Sequence, residues 1–191
     1  MGKYINEYKF SLTGGSLLLD EMMLVNQWLI DNDATIDQFQ LEDLGKDRVK
    51  TSKREFAEIK LRIGQLSSEE RNLLNGGTYD VQKFIAYISC VRSYRILREF
   101  IDEVILDKLS IFDHNLTDYD YQKFFNNKAD QNPRIEKLAD STKDKVKQVT
   151  FRILVQAGLL DDIKTKTIIK PILDYPLQSI LREDDLKYLL Q

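Results

Sequence analysis

Residues 78–109 read TYDVQKFIAYISCVRSYRILREFIDEVILDKL, and the reading of this stretch decides the fold. It contains neither Gly nor Pro, follows the pair Gly76-Gly77 and opens on Thr78, a residue suited to cap a helix. Large apolar side chains recur at three- and four-residue steps, which predicts the longest helix of the chain. Its apolar face changes halfway. On a 3.6-residue wheel Val81, Phe84, Ile85, Ile88 and Val91 gather on one side, whereas Leu97, Phe100, Ile101, Val104 and Ile105 gather on nearly the opposite side. Arg92, Arg95, Arg98, Glu99 and Asp102 take over the first side. A straight helix with two opposed apolar faces cannot serve one core. The expectation is a spine whose halves pack on the N-terminal and C-terminal helices respectively, or a kink near Ser93. The competing reading is a helix buried all round, with Arg95–Glu99 and Arg98–Asp102 paired at i,i+4.

The length of 191 residues suits one compact domain or two closely packed subdomains. The expected fold class is therefore mainly α, with helical subdomains at residues 1–91 and 92–191 joined by the long central helix. The longest charge-free run, Phe10 to Leu19, is far shorter than the roughly twenty residues a membrane-crossing helix needs. MGKYINEYKF lacks the apolar centre of a signal peptide, so a cytoplasmic chain without membrane contact is expected. The lone Cys90 has no internal disulfide partner and reads as a buried, inert thiol.

Charge is segregated. Residues 11–45 carry Asp20, Glu21, Asp31, Asp33, Asp37, Glu42 and Asp43 with no Lys or Arg. Residues 46–62 reverse this with Lys46, Arg48, Lys50, Lys53, Arg54, Lys60 and Arg62 against Asp47, Glu55 and Glu58. A second basic run holds Lys143, Lys145, Lys147 and Arg152 against Asp144, and Lys164, Lys166 and Lys170 follow it. Such blocks let a protein of pI near 5.3 present a polyanion with a basic face. A solvated basic face without a ligand is the competing reading.

Local signals punctuate the rest. An extended arm at residues 4–10 leads to Thr13-Gly-Gly-Ser16, read as entry to a helix capped by Ser16, with an anion cradle as the weaker alternative. Capping boxes at Thr35-Ile-Asp-Gln38, Ser52-Lys-Arg-Glu55 and Ser67-Ser-Glu-Glu70 open helices closed at Gly45, Gly64 and Gly76-Gly77. In the middle one Phe56, Ile59 and Ile63 face inward and leave Lys53, Arg54 and Lys60 outside. Thr117 to Asn127 is expected helical with Tyr121, Phe124 and Phe125 inward. Asn132-Pro133 opens a short helix, and Ser141-Thr-Lys-Asp144 caps a longer one ending at Gly158. Lys166 to Ile169 and Pro171 to Leu173 suggest a small hairpin or a single strand, a wing-like element at residues 163–174. That order also occurs in winged helices, whose longer helix enters the major groove.

Catalytic chemistry has little to draw on. With His114 and Cys90 each alone of their kind, neither a zinc site nor a Ser/His/Asp or Cys/His set assembles, and no carboxylate pair has a diagnostic spacing. The expectation is a binding protein with no enzymatic activity, no cofactor and no metal.

Several segments together carry a resemblance. Phe10-Ser-Leu-Thr-Gly-Gly-Ser-Leu-Leu18, the basic helix Arg54 to Arg62, Ser93-Tyr-Arg-Ile-Leu97 with Phe100 and Glu103-Val104, Phe124-Phe125 with Lys128, Ser141-Thr142 and Ala157-Gly-Leu-Leu160 resemble the BrxA family of bacteriophage exclusion (BREX) defence systems. The likeness runs from about Tyr4 to Leu181. Asn132 and Tyr175 depart from the family pattern before the two prolines, where relatives often carry His and Ser. The resemblance implies a mainly helical fold similar to the antiterminator NusB, cytoplasmic expression beside other BREX proteins, and non-catalytic binding of double-stranded DNA. The residues expected to contact DNA are Lys46, Arg48, Lys50, Lys53, Arg54, Lys60, Arg62, Lys143, Lys145, Lys147, Lys164 and Lys166. A protein-interaction scaffold within the BREX complex, or RNA binding as in NusB, are the alternatives.

Overall fold

The long apolar stretch breaks where its face changes. In the computed structural model, which describes residues 4–40, 42 and 53–191, the helices are α1 (Leu19–Asp31), α2 (Lys53–Ile63), α3 (Ser68–Gly76), α4 (Tyr79–Ser93), α5 (Arg95–Phe100), α6 (Leu106–Ser110), α7 (Asp118–Gln131), α8 (Pro133–Glu136), α9 (Asp140–Gln156), α10 (Tyr175–Ile180) and α11 (Glu183–Leu186). A 3-10 turn at Ser11–Gly14 precedes α1, and a π-helical turn at Ile101–Ile105 joins α5 to α6. Tyr94, at φ −121° and ψ 103°, is extended, so α4 stops there and α5 begins afresh. The kink near Ser93 is thus present.

Its two sides pack differently. α4 lies against α1, α2 and α3 but also against α9 and the Lys187–Leu189 turn, while the π turn beyond the break lies against α7, so the expected division between N-terminal and C-terminal helices is not clean. Residues 84–94 are buried on every side, so all-round burial also holds for the second half of α4. One apolar cluster takes in side chains from both halves, from Leu12 to Leu190.

A helix break orphans carbonyls, and orphaned carbonyls need donors. Arg98 donates from Nη1 to Val91 O at 2.9 Å, and the Ile5 amide donates to Arg92 O at 2.9 Å. The arm at residues 4–10 therefore lies across the break. Arg98 Nη2 holds Ile5 O at 3.0 Å and Arg95 Nη1 holds Asn6 O at 3.1 Å. The guanidinium groups of Arg98 and Arg182 lie 4.8 and 4.7 Å from the centre of the Tyr4 ring, a cation–π arrangement. Arg95 pairs with Glu99 at 2.6 Å as expected; the expected Arg98–Asp102 pair is absent because Arg98 serves these backbone carbonyls.

Caps follow local chemistry where the partner is two or three residues away. Thr78 accepts from the Val81 amide, Ser67 with Glu70 and Thr117 with Asp120 form capping boxes, and Asn132 caps α8. Three expectations change. α1 starts at Leu19 behind a left-handed Leu18, so Ser16 caps nothing; α9 starts at Asp140, before Ser141. Thr35 and Gln38 hydrogen-bond across a turn rather than a helix, and the caps and stops expected at Ser52 and Gly45 lie outside the described residues.

Near the C-terminus the expected pairing of residues 166–169 with 171–173 is not formed. The chain reverses earlier, because the Asp161 carboxylate accepts from the Thr165 hydroxyl at 2.9 Å and the Thr167 amide at 2.7 Å, with Lys166 left-handed at φ 55°. Residues 166–169 then lie between two neighbours, through isolated bridges Leu160–Ile168 and Asn115–Thr167.

Candidate nucleic-acid interface

Arg62 does not belong to a surface. It is 0% exposed and donates to Gly15 O at 3.0 Å, Leu17 O at 3.1 Å and Ser16 O, with Nε on Tyr94 Oη at 2.9 Å. Tyr94 in turn donates to the buried Glu58 carboxylate. A helical position one turn from Ile59 and next to Ile63 faces inward, so the seventh cation of the basic run is a core residue. The Gly14-Gly15 loop consequently aims its carbonyls at a cation, which is the opposite of an anion cradle.

Lys166 is also largely withdrawn, 9% exposed, 5.6 Å above the Phe151 ring and 3.6 Å from Asp118. Lys147 meets the same Asp118 carboxylate at 3.0 Å, and Lys143 meets Asp140 at 3.4 Å. The hydrogen bond from Lys147 holds the Asp118 carboxyl below its usual range. These three cations share their charge with acids.

Five others remain available. Lys53 and Lys164 are exposed, Arg54 rests on the Thr13 hydroxyl, Lys60 lies 5.6 Å over the Phe56 ring, and Lys145 reaches only the Gln148 amide oxygen at 2.9 Å. Among the described residues, none of these five is within ion-pairing distance of an acid. Lys46, Arg48 and Lys50 lie outside the described residues. α2 and α9 both pack on the Ser11–Gly14 turn, α9 with its last turn tied there through Gln156, whose side-chain oxygen accepts from the Leu17 amide at 2.9 Å. Lys166 Nζ donates to Lys164 O at 3.3 Å, which ties the 164–166 cations to the Asp118 group beside α9. Two further cations lie in the same runs without ion-pair partners among the described residues: half-buried Arg152 and exposed Lys170. Their position in the charge blocks was the available signal.

The remaining reactive residues have structural tasks. Cys90 is buried, and burial pushes its thiol up. His114 Nδ1 is 3.2 Å from Ile168 O, Asp120 completes the cap of α7, and Tyr121 is buried among Phe100, Phe124, Phe125 and Phe151. Among the described residues no three His, Cys, Asp or Glu side chains converge as a metal site, and no helix is long and apolar enough to cross a membrane.

The fold is that of a mainly helical protein whose interior is tied by arginines and whose charge is segregated along the sequence. The chain belongs to the BrxA family, whose sequence model matches residues 6–185. It is 24% identical over 189 residues to the BREX protein BrxA of Paramagnetospirillum magneticum, covering 96% of this chain and 94% of that one. It is 34% identical over 107 residues to the BREX protein BrxA of Bacillus cereus, about half of each chain, and 23% identical over 175 residues to that of Escherichia coli O9:H4. A crystal structure of an uncharacterized protein from Magnetospirillum magneticum has the same fold, with a TM-score of 0.81, 24% identity and 96% of both chains covered.

Proposed function

We propose that this BrxA-family chain is a non-catalytic accessory protein of a BREX system that works in the cytoplasm and grips duplex DNA through its phosphates. The observation that carries the reading is the set of five cations, Lys53, Arg54, Lys60, Lys145 and Lys164, that no described acid pairs in a protein of acidic pI. Lysines and arginines that no carboxylate neutralises are the groups that displace counterions from a phosphate backbone.

Five such contacts predict that duplex affinity falls several hundredfold between about 50 and 200 mM salt. Fluorescence anisotropy with a labelled duplex reads this directly. A Lys53→Glu, Arg54→Glu, Lys145→Glu triple variant should lose at least tenfold in affinity at low salt and show a shallower salt slope. An unchanged slope removes these residues from the interface. A single-stranded RNA competitor, run in parallel, separates duplex DNA from the RNA alternative.

A second contact, with another BREX protein, is supported by α1. Its outer face carries Asp20 and Asp31, unpaired with any described cation, around exposed Leu24 and Ile30. Co-purification that persists after nuclease treatment and is lost in Leu24→Ser, Ile30→Ser supports this contact; retention in the variant sinks it.

A further inference from the structure

Asp20, Leu24, Gln27 and Asp31 fall within a narrow arc of the α1 wheel, and all four are exposed. The arc is continuous, since Gln27 Nε2 donates to Asp31 Oδ1 at 2.7 Å. Leu24 sits in its middle, 39% exposed, and Ile30, 43% exposed, borders it beside half-buried Met23. The outer stripe of a surface helix is ordinarily polar; this one carries an apolar centre between two carboxylates.

Two observations fix the charge that such a stripe suits. Asp31 is the last residue of α1, at the negative end of the helix dipole where a cation is favoured, and no basic residue occupies that last turn. Exposed Asp33 and Asp37 follow it. Neither these three acids nor Asp20 and Glu21 have an ion-pair partner among the described residues. The cations on the helices packed against α1 are turned to other groups or stand apart. Lys83 of α4, which borders the same hollow as Asp20 and Glu21, is held by Asp80 at 2.7 Å. Arg71 of α3 is half-buried in a recess with Thr35 and Ile36. On α2, Arg54 rests on the Thr13 hydroxyl, Lys60 lies over the Phe56 ring, and exposed Lys53 pairs with none of these acids.

We propose that this stripe docks a cationic amphipathic helix of a partner protein, with the partner's apolar side chains over Leu24 and Ile30 and its lysines or arginines on Asp20 and Asp31. The inference rests on the α1 contact proposed above and names the chemistry of the partner. Asp31 lies eleven positions after Asp20, which is about three helical turns or ~16 Å along the axis. A partner helix aligned with α1 therefore presents two cations about three turns apart around an apolar centre, as flanking charges do in paired helices.

The experiment selects on the full chain from a displayed library of helical peptides about 20 residues long, enough to hold a helix in isolation, with an apolar stripe fixed and every other position random. Peptides retained by wild type but not by Leu24→Ser, Ile30→Ser are kept. They should be enriched in Lys or Arg at positions about three turns apart. They should bind Asp20→Asn, Asp31→Asn about tenfold more weakly than wild type, with a flatter salt dependence. Trp28, the one tryptophan of the chain, lies half-buried on α1, so its emission should change as the peptide binds wild type. All four substituted side chains are exposed, so both variants should melt with wild type. Selected peptides without basic enrichment, or with equal affinity for the Asn variant, overturn the cationic partner and leave the α1 contact standing. Recovery of no peptide that depends on Leu24 and Ile30 overturns the inference too, and the co-purification described above then decides the α1 contact separately. Concentration-dependent self-association of wild type that Leu24→Ser, Ile30→Ser abolishes would assign the stripe to a second copy and likewise overturn the inference.

Discussion

Arg92→Met should destabilise the protein by about 3–5 kcal/mol, because it strands two carboxylates in the interior. Arg92 is 2% exposed and binds Glu70 through both terminal nitrogens, at 2.7 and 2.5 Å, and Asp185 at 2.7 Å. Asp185 also accepts from Arg182 at 2.7 and 2.9 Å and from the Tyr4 hydroxyl at 2.7 Å. Urea unfolding at pH 7 measures the loss, and a loss below about 1 kcal/mol would mean that the network behaves like a solvated surface pair. The pH dependence gives a second, independent check. Burial alone would raise the Asp185 carboxyl, but the hydrogen bonds from Arg182 and Arg92 outweigh it and hold its pKa below the usual range. A depressed folded-state pKa contributes stability above the unfolded-state value and loses it as pH falls through the folded value. Without Arg92 the burial effect gains weight and the folded-state pKa rises. The gap between wild type and variant should therefore narrow as pH drops from 7 towards the carboxylate range. A gap that stays constant would take Asp185 out of the explanation.

Arg62→Met should cost about 3 kcal/mol or more by a different route, since it leaves three consecutive backbone carbonyls and the Tyr94–Glu58 pair without their cation. Arg62→Lys should recover only part, because an ammonium cannot reproduce the planar fork that spans Gly15, Ser16 and Leu17. Calorimetric melting ranks the three proteins. At a temperature where all are folded, Arg62→Met should keep its duplex affinity, unlike the surface triple variant. Reduced affinity of the folded protein would put Arg62 back into the interface.

What could be read from the chain divides by the range of the interaction. The break at Tyr94 was legible because the apolar face rotates within a few residues, and the caps at Ser67, Thr78, Thr117 and Asn132 because each partner lies two or three residues on. The fates of Arg62, Arg92 and Arg98 were not. Each is coded like a surface cation and is drawn inside by groups 46, 93 and 93 positions away, Ser16, Asp185 and Ile5. Charge blocks located the cations of α2 and the α9 region that no described acid pairs, yet adjacency in sequence could not distinguish Lys164 from Lys166. A left-handed backbone at Lys166 and the bridges on both sides of it turn that side chain over Phe151. The paired segment was legible as β-prone, but its partners depended on a carboxylate turn at Asp161 that alternation does not encode.

The arm across the spine sets an order of events during synthesis. Tyr4 and Asp185 are 181 positions apart, and Ile5 caps a carbonyl that exists only once Arg92 has been built. A growing chain can form α3 and α4 and pair Arg92 with Glu70, but Arg92 waits for its second carboxylate until nearly the whole sequence has left the ribosome. Closure of the two ends is thus a late step governed by loop-closure entropy over almost the full length. Ribosome-stalled chains ending before residue 185 should leave the Tyr4 hydroxyl without the carboxylate that accepts from it in the full fold.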